Sequence, residues 1–63
     1  MTPAQYRAAL SRLGLTQLEA ARLFKISLRT SSGYASGTYK HIPEAVAIVL
    51  RLMIRFNLKP DDI

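Results

Sequence analysis

The side chains that could do chemistry in this chain are hydrogen-bonding and basic rather than catalytic. His41 is the only histidine, and a single imidazole in a loop is not a catalytic set. Asp61 and Asp62 are adjacent, so their carboxylates diverge instead of converging on one substrate. The chain has no cysteine, no glycine-rich phosphate loop and no metal-ligand spacing. The sequence therefore predicts no catalytic residue, no metal site and no cofactor, and its four acids are assigned to helix capping and solubility.

A second set of side chains is suited to binding nucleic acid. Arg29 can pair with guanine O6 and N7, or else contact phosphate or solvent. Gln17 is predicted to begin a helix, where its amide and backbone N–H can meet a phosphate, or else it is an ordinary exposed residue of the first turn. Leu28 could touch a thymine methyl or cover the edge of the core. The predicted DNA-contacting residues are Gln17, Lys25, Ser27, Leu28, Arg29, Ser32, Gly33, Thr38, Tyr39 and Lys40, with His41 as a further flanking candidate.

The charge distribution agrees with a polyanionic partner. The formal net charge is +5. Residues 1–43 contain six Lys or Arg and one Glu, whereas residues 44–63 contain three charges of each sign. The whole excess therefore accompanies the candidate binding residues, which suits DNA. Solubility charge on an ordinary surface is the alternative interpretation of composition alone.

Three short helices are predicted to position these residues. The first begins at Pro3 after the N-cap Thr2 and ends at Gly14, with one buried stripe formed by Tyr6, Ala9, Leu10 and Leu13. The second runs from Gln17 to Phe24 after a capping box of Thr16 and Glu19. The third runs from Leu28 to Ser36 after the N-cap Ser27.

The last two of these helices, joined by a tight turn at Lys25-Ile26, form a predicted helix-turn-helix, whose second helix can reach base edges in DNA. The predicted inward residues of the pair are Leu18, Ala21, Phe24, Thr30, Ser31 and Tyr34. The predicted outward face of the last helix consists of Leu28, Arg29, Ser32 and Gly33.

A fourth helix, from Pro43 to about Asn57, is apolar around most of its circumference. Such a helix is buried on more than one side, and three short helices cannot cover all of it. We therefore expect residues 43–63 to serve as a dimerisation element within a single domain spanning residues 1–63. The predicted interface residues are Ile48, Leu52, Ile54, Phe56 and Leu58. After it, a further turn can begin at Pro60, or the chain simply trails off.

These residues together resemble the phage-repressor and Cro type of helix-turn-helix, the XRE family. The resemblance covers about residues 2–37 and is carried by Gly14-Leu15-Thr16-Gln17, Ala21, Ile26-Ser27, Tyr34 and Gly37. It implies an all-α, compact four- to five-helix bundle of the lambda-repressor type, usually a dimer on an operator of two half-sites. It also implies phosphate contact by Gln17 and a groove-facing role for Ser27, Leu28, Arg29, Ser32 and Gly33.

The chain departs from the family pattern at three positions. Lys25 replaces the usual turn glycine, at a conformational cost if it is left-handed. Ser31 fills a slot usually held by a β-branched apolar residue, which predicts an underfilled core beneath the third helix. Gly33 lies inside that helix, where it costs about 1 kcal/mol relative to alanine.

The sequence predicts a cytoplasmic, DNA-binding transcriptional regulator, most simply a dimeric repressor that is not an enzyme. Its lack of cysteine and of a signal-peptide pattern favours that compartment. An antitoxin-like module, whose apolar fourth helix binds a partner protein, is the competing class. A basic amphipathic element on a membrane surface is a third. A membrane span is not expected, because two arginines interrupt the apolar stretch.

Overall fold

Four α-helices and a final 3₁₀ turn form the secondary structure of the computed structural model, which describes residues 1–39 and 41–62. The helices are α1 (Pro3–Leu13), α2 (Gln17–Phe24), α3 (Leu28–Ser36) and α4 (Glu44–Phe56), and the turn is Pro60–Asp62. No strand occurs within these described ranges. The radius of gyration, 10.4 Å, is that of a compact chain of this length. The predicted all-α class is confirmed, and α4 is one residue shorter at each end because Pro43 and Asn57 are its caps.

Side-chain caps define where α2 and α3 begin. Thr16 Oγ1 accepts from the Glu19 backbone N–H at 3.1 Å, and the Glu19 carboxylate accepts from Thr16 N–H at 3.0 Å. That backbone hydrogen bond, with a smaller contribution from the hydroxyl, lowers the pKa of Glu19 below its usual value. The cap therefore stabilises the fold above that usual pKa, and this contribution is lost as the pH falls through the folded value. Ser27 Oγ accepts from Thr30 N–H at 3.0 Å and fixes the start of α3.

Left-handed residues followed by an apolar residue end α1, α2 and α4. The pairs are Gly14–Leu15, Lys25–Ile26 and Asn57–Leu58. In the turn between α2 and α3, Lys25 has φ 58° and ψ 39°, so it adopts the left-handed conformation without being a glycine. Ile26 then donates its N–H to the Ala21 carbonyl at 2.9 Å and packs against the core. This closure satisfies a terminal carbonyl of α2 and sets the direction in which α3 departs.

The core lies where α1 meets α3 and α4, and α2 packs on α3. Tyr6 of α1, Ser31 of α3, and Leu50 and Met53 of α4 are its largest fully buried side chains. Burying apolar area of this kind supplies most of the folding free energy of a small domain. Because α3 packs on both α1 and α2, its orientation is fixed, and so is the direction in which its outward face points.

The packing corrects the predicted position of Leu18 and refines those of Thr30 and Ile54. Leu18 was expected inward but is 45% exposed, because α2 places its small residues Ala20 and Ala21 in the core instead. Thr30 is only half-buried. Ile54, predicted at the dimer interface, is half-buried and packs against the core, because it lies one turn beyond Leu50 on the same face of α4. Its interface role stays a prediction.

Candidate functional site

The outward face of α3 carries a row of polar side chains around a shallow concavity. Arg29, Ser32 and Ser36 follow one another at helical spacing and line a hollow of about 320 Å³. Thr38 closes one side of it, and its hydroxyl lies 2.8 Å from the Ser36 hydroxyl. Ser36 was not among the sequence-predicted site residues, although its position one turn after Ser32 is a signal that could have identified it.

Gly33 is buried, although the sequence predicts it on the open outward face of α3, and it lines the concavity from beneath. It is buried beneath the ring of Tyr39, and a Cβ at Gly33 would lie 2.3 Å from Tyr39 Cε2. The glycine therefore provides space for an aromatic ring. Tyr39 also meets the edge of Tyr34, with ring centroids 5.8 Å apart, while its own exposed side borders the concavity. Gly33 still lines the concavity beside Tyr39, so the predicted contact roles of both residues stay predictions.

Gly33→Ala is expected to stabilise the chain only in a background that lacks the Tyr39 ring. Alanine favours a helix over glycine by about 1 kcal/mol, but in the native chain it displaces the Tyr39 ring and removes its packing on Tyr34. Gly33→Ala should thus leave the free energy of unfolding unchanged or lower, whereas in a Tyr39→Ala background it should raise it by up to about 1 kcal/mol. Urea unfolding of the four proteins measures both values. Equal stabilisation in both backgrounds would contradict the packing of Tyr39 on Gly33.

Gln17 lies at the first position of α2 with its side chain tied to α3. Its Oε1 accepts a hydrogen bond from Ser31 Oγ at 2.6 Å. The amide NH₂ of a glutamine has two further donors, and no acceptor for them occurs among the described residues. The N-terminal backbone N–H of Gln17 also has no partner inside the helix. Both kinds of donor are suited to an anion such as phosphate.

Ser31 is fully buried, and its hydroxyl lies 2.8 Å from the Tyr6 hydroxyl. The gap expected beneath α3 is thus occupied by a polar pair contributed by α1 and α3. Burial raises the pKa of Tyr6 above its usual 10.0, against the lowering effect of the Ser31 hydrogen bond, and Tyr34 adds to the increase. Because the folded value is raised, the stability gained is present below pH 10 and is lost as the pH rises through the folded pKa.

The other described residues predicted to contact DNA lie outside the concavity beside Arg29. Leu28 is exposed at the start of α3, and Ser27 is exposed but its oxygen already serves the N-cap. Lys25 faces a different hollow, which it shares with Arg22 and Pro60, so the structure does not bring it to the Arg29 concavity. The remaining two are His41, which is exposed, and Lys40, which lies outside the described residues.

The α4 surface away from the core is an apolar stripe formed by Ile48, Leu52 and Phe56. Their exposed fractions are 46%, 44% and 61%, and the spacing of four residues aligns them on one face. Leu58 is half-buried beyond the end of the helix, where its N–H bonds to the Met53 carbonyl at 2.8 Å. We define the α4 stripe as Ile48, Leu52 and Phe56; Ile54 is not part of it.

Neither a metal cluster nor a membrane-crossing helix is found in the part of the chain that the structure describes. No group of three or more His, Cys, Asp or Glu side chains converges there. None of its helices has the length and apolar character needed to cross a bilayer. Comparison of the chain with protein-family models, curated proteins and solved structures gives no match. What the α3 surface can bind therefore follows from its own residues.

Proposed function

We propose that this chain is a sequence-specific double-stranded DNA-binding transcriptional regulator, a dimeric repressor of phage or bacterial type. In this proposal α2 and α3 act as a helix-turn-helix, and α3 enters the major groove. The proposed location is accordingly the cytoplasm, where a phage or bacterial operator is found. The observation that carries the proposal is the polar row on α3, in which a single guanidinium stands among short hydroxyl side chains.

The chemistry of that row matches the edges of base pairs. Arg29 is exposed, and a guanidinium can donate two parallel hydrogen bonds to guanine. Ser32 and Ser36 have hydroxyls that donate and accept, and their short side chains let the helix approach the groove closely. One long side chain among short ones gives few direct base contacts. The shape and deformability of the operator would then supply much of the specificity.

Contacts to the phosphate backbone would set the orientation of α3. Gln17 offers its amide NH₂ and its backbone N–H at the N-terminus of α2, where the helix dipole favours an anion. Thr38 and Tyr39 flank the other end of α3. The positive charge excess of residues 1–43 would add the sequence-independent attraction on which most DNA-binding proteins depend.

A second copy of the chain would cover the α4 stripe. Three large apolar side chains on one face of a short helix are suited to a twofold contact, because the same stripe can pack against itself. Two copies of α3 would then meet two half-sites separated by about one helical turn of DNA. Each α3 has few side chains that can contact bases, and dimerisation doubles the number of bases that the protein contacts.

Arg29→Ala is expected to remove most of the sequence preference. Loss of a bidentate guanine contact should weaken binding to a selected duplex roughly five- to one-hundredfold, with little change on a random duplex. Fluorescence anisotropy on both duplexes measures the ratio. Arg12→Ala is the matched control: it removes the same charge from an exposed arginine of α1 beside α4. Equal losses for the two variants would mean that Arg29 acts only through its charge, which contradicts base reading.

A partner-protein module is the second candidate, and the exposed α4 stripe is the observation that favours it. An apolar helix face of this kind can also pack on a different protein. The two candidates differ in salt dependence, because DNA affinity falls steeply as salt rises while apolar association does not. An isolated chain that binds no duplex even at low salt would favour the partner-protein candidate.

A further inference from the structure

A continuous hydrogen-bonded path connects the core to the N-terminus of α2. Tyr6 on α1 and Ser31 on α3 are both fully buried, and their oxygens are 2.8 Å apart. Ser31 then donates to Gln17 Oε1 at 2.6 Å. A serine hydroxyl has a single hydrogen. Tyr6 therefore donates to Ser31, and Ser31 donates to Gln17. Neither hydrogen bond uses the NH₂ hydrogens of the Gln17 amide.

We propose that Ser31, oriented by Tyr6, is a positioning residue that holds the Gln17 amide with its NH₂ toward a DNA phosphate. The inference rests on the proposed DNA-binding function and adds to it a specific device for aligning a phosphate donor before binding. Ser31 acts through Gln17 and does not touch the ligand, because it is fully buried.

Holding the Gln17 side chain in one rotamer gives the buried Tyr6–Ser31 pair a role in so small a domain. A free glutamine side chain samples many rotamers, and fixing one of them on binding lowers affinity. The Ser31 hydroxyl holds the amide in the free protein, and the Tyr6 hydroxyl, by donating to Ser31, leaves the serine hydrogen for Gln17. An apolar residue at position 31 would fill the same space without holding the amide. Each group of the pair is satisfied, so burial leaves neither without a partner.

A mutant cycle between Ser31 and Gln17 tests the positioning role. The probe is a mixed-sequence DNA duplex at low salt, and the full chain is used throughout. Ser31→Ala should weaken duplex binding roughly three- to tenfold, as expected for one hydrogen bond. Gln17→Ala should weaken it at least as much, and Ser31→Ala should then have almost no further effect. Independent losses that multiply in the double variant would overturn the proposal.

The variant Tyr6→Phe/Ser31→Ala separates positioning from stability. Ser31→Ala alone leaves the Tyr6 hydroxyl buried without a partner and should lower stability, whereas removing both hydroxyls restores much of it. The double variant still lacks the group that holds Gln17. Its DNA affinity should therefore remain low while its melting temperature recovers. Recovery of both together would show that the pair has a purely structural role and would overturn the inference.

The side-chain conformation of Gln17 in the free protein gives a readout that does not depend on DNA. NMR couplings should report one dominant rotamer in the native chain and averaging in Ser31→Ala. Averaging in the native chain would overturn the positioning role, whatever binds. If Gln17 is ordered in the native chain and averaged in Ser31→Ala, but the native chain binds no duplex, the DNA-binding function and the phosphate assignment fail while the positioning of Gln17 by Ser31 is confirmed.

Discussion

Leu50→Ala is expected to leave little folded protein. Leu50 is fully buried at the centre of the inner face of α4, in contact with the core contributed by α1 and α3. Truncating such a leucine removes its apolar contacts and leaves a cavity, at about 2–5 kcal/mol. A domain of this size rarely has more than about 3–5 kcal/mol of stability from its core. Circular dichroism should show a much lower melting temperature or no cooperative transition.

Leu52→Ala is the matched control for this prediction, because it makes the same chemical change two residues away on the other face of the helix. Leu52 is 44% exposed and contributes little to the core of its own chain. The variant should retain helical content in dilute solution. If Leu52→Ala unfolded the chain while Leu50→Ala did not, α4 would present the opposite face to the core, and the assignment of the α4 stripe would be wrong.

Leu52→Glu is expected to convert a dimer into a folded monomer. The substitution places a carboxylate at the centre of the α4 stripe, where a twofold contact would bring two of them together without partners. Two half-sites bound by a linked pair gain roughly 10²- to 10⁴-fold in affinity over one half-site bound alone. The variant should lose most of that gain on a two-half-site duplex and little on a single half-site. Light scattering and anisotropy measure the two effects.

Leu18→Glu is the control for the oligomeric state. Leu18 is exposed to nearly the same extent, 45%, but lies on α2 and outside the α4 stripe. This variant should remain dimeric. A native chain that is monomeric at high concentration would contradict the dimer directly, and a dimer that survives Leu52→Glu would place the contact on another surface.

The start and end of each helix could be predicted closely because the signals are local. The Thr16 hydroxyl, the Glu19 carboxylate and the Ser27 hydroxyl all bond to backbone groups within three residues. Such contacts depend on the sequence of one turn and not on the rest of the fold. The sequence leaves open whether Lys25 is left-handed; in the structure it is, with φ 58° at the end of α2.

The residues that were misplaced depend on contacts between distant parts of the chain. Nothing near Gly33 indicates that Tyr39 folds back over it, and helical spacing alone puts it on the outward face. Leu18 is apolar, yet the close packing of α2 leaves it outside. The link from Tyr6 to Ser31 spans 25 residues. A buried serine on a helix facing a buried tyrosine is a signal for such a pair, but only once the helices have been placed.

The central claim is that α3 reads DNA as one half of a symmetric dimer. Repeated selection of the native chain on random duplexes, followed by sequencing, tests it most directly. The claim predicts enrichment of two inverted half-sites about one helical turn apart, with guanine at one or two positions that lose preference in Arg29→Ala. Enrichment of no sequence at low salt would contradict it.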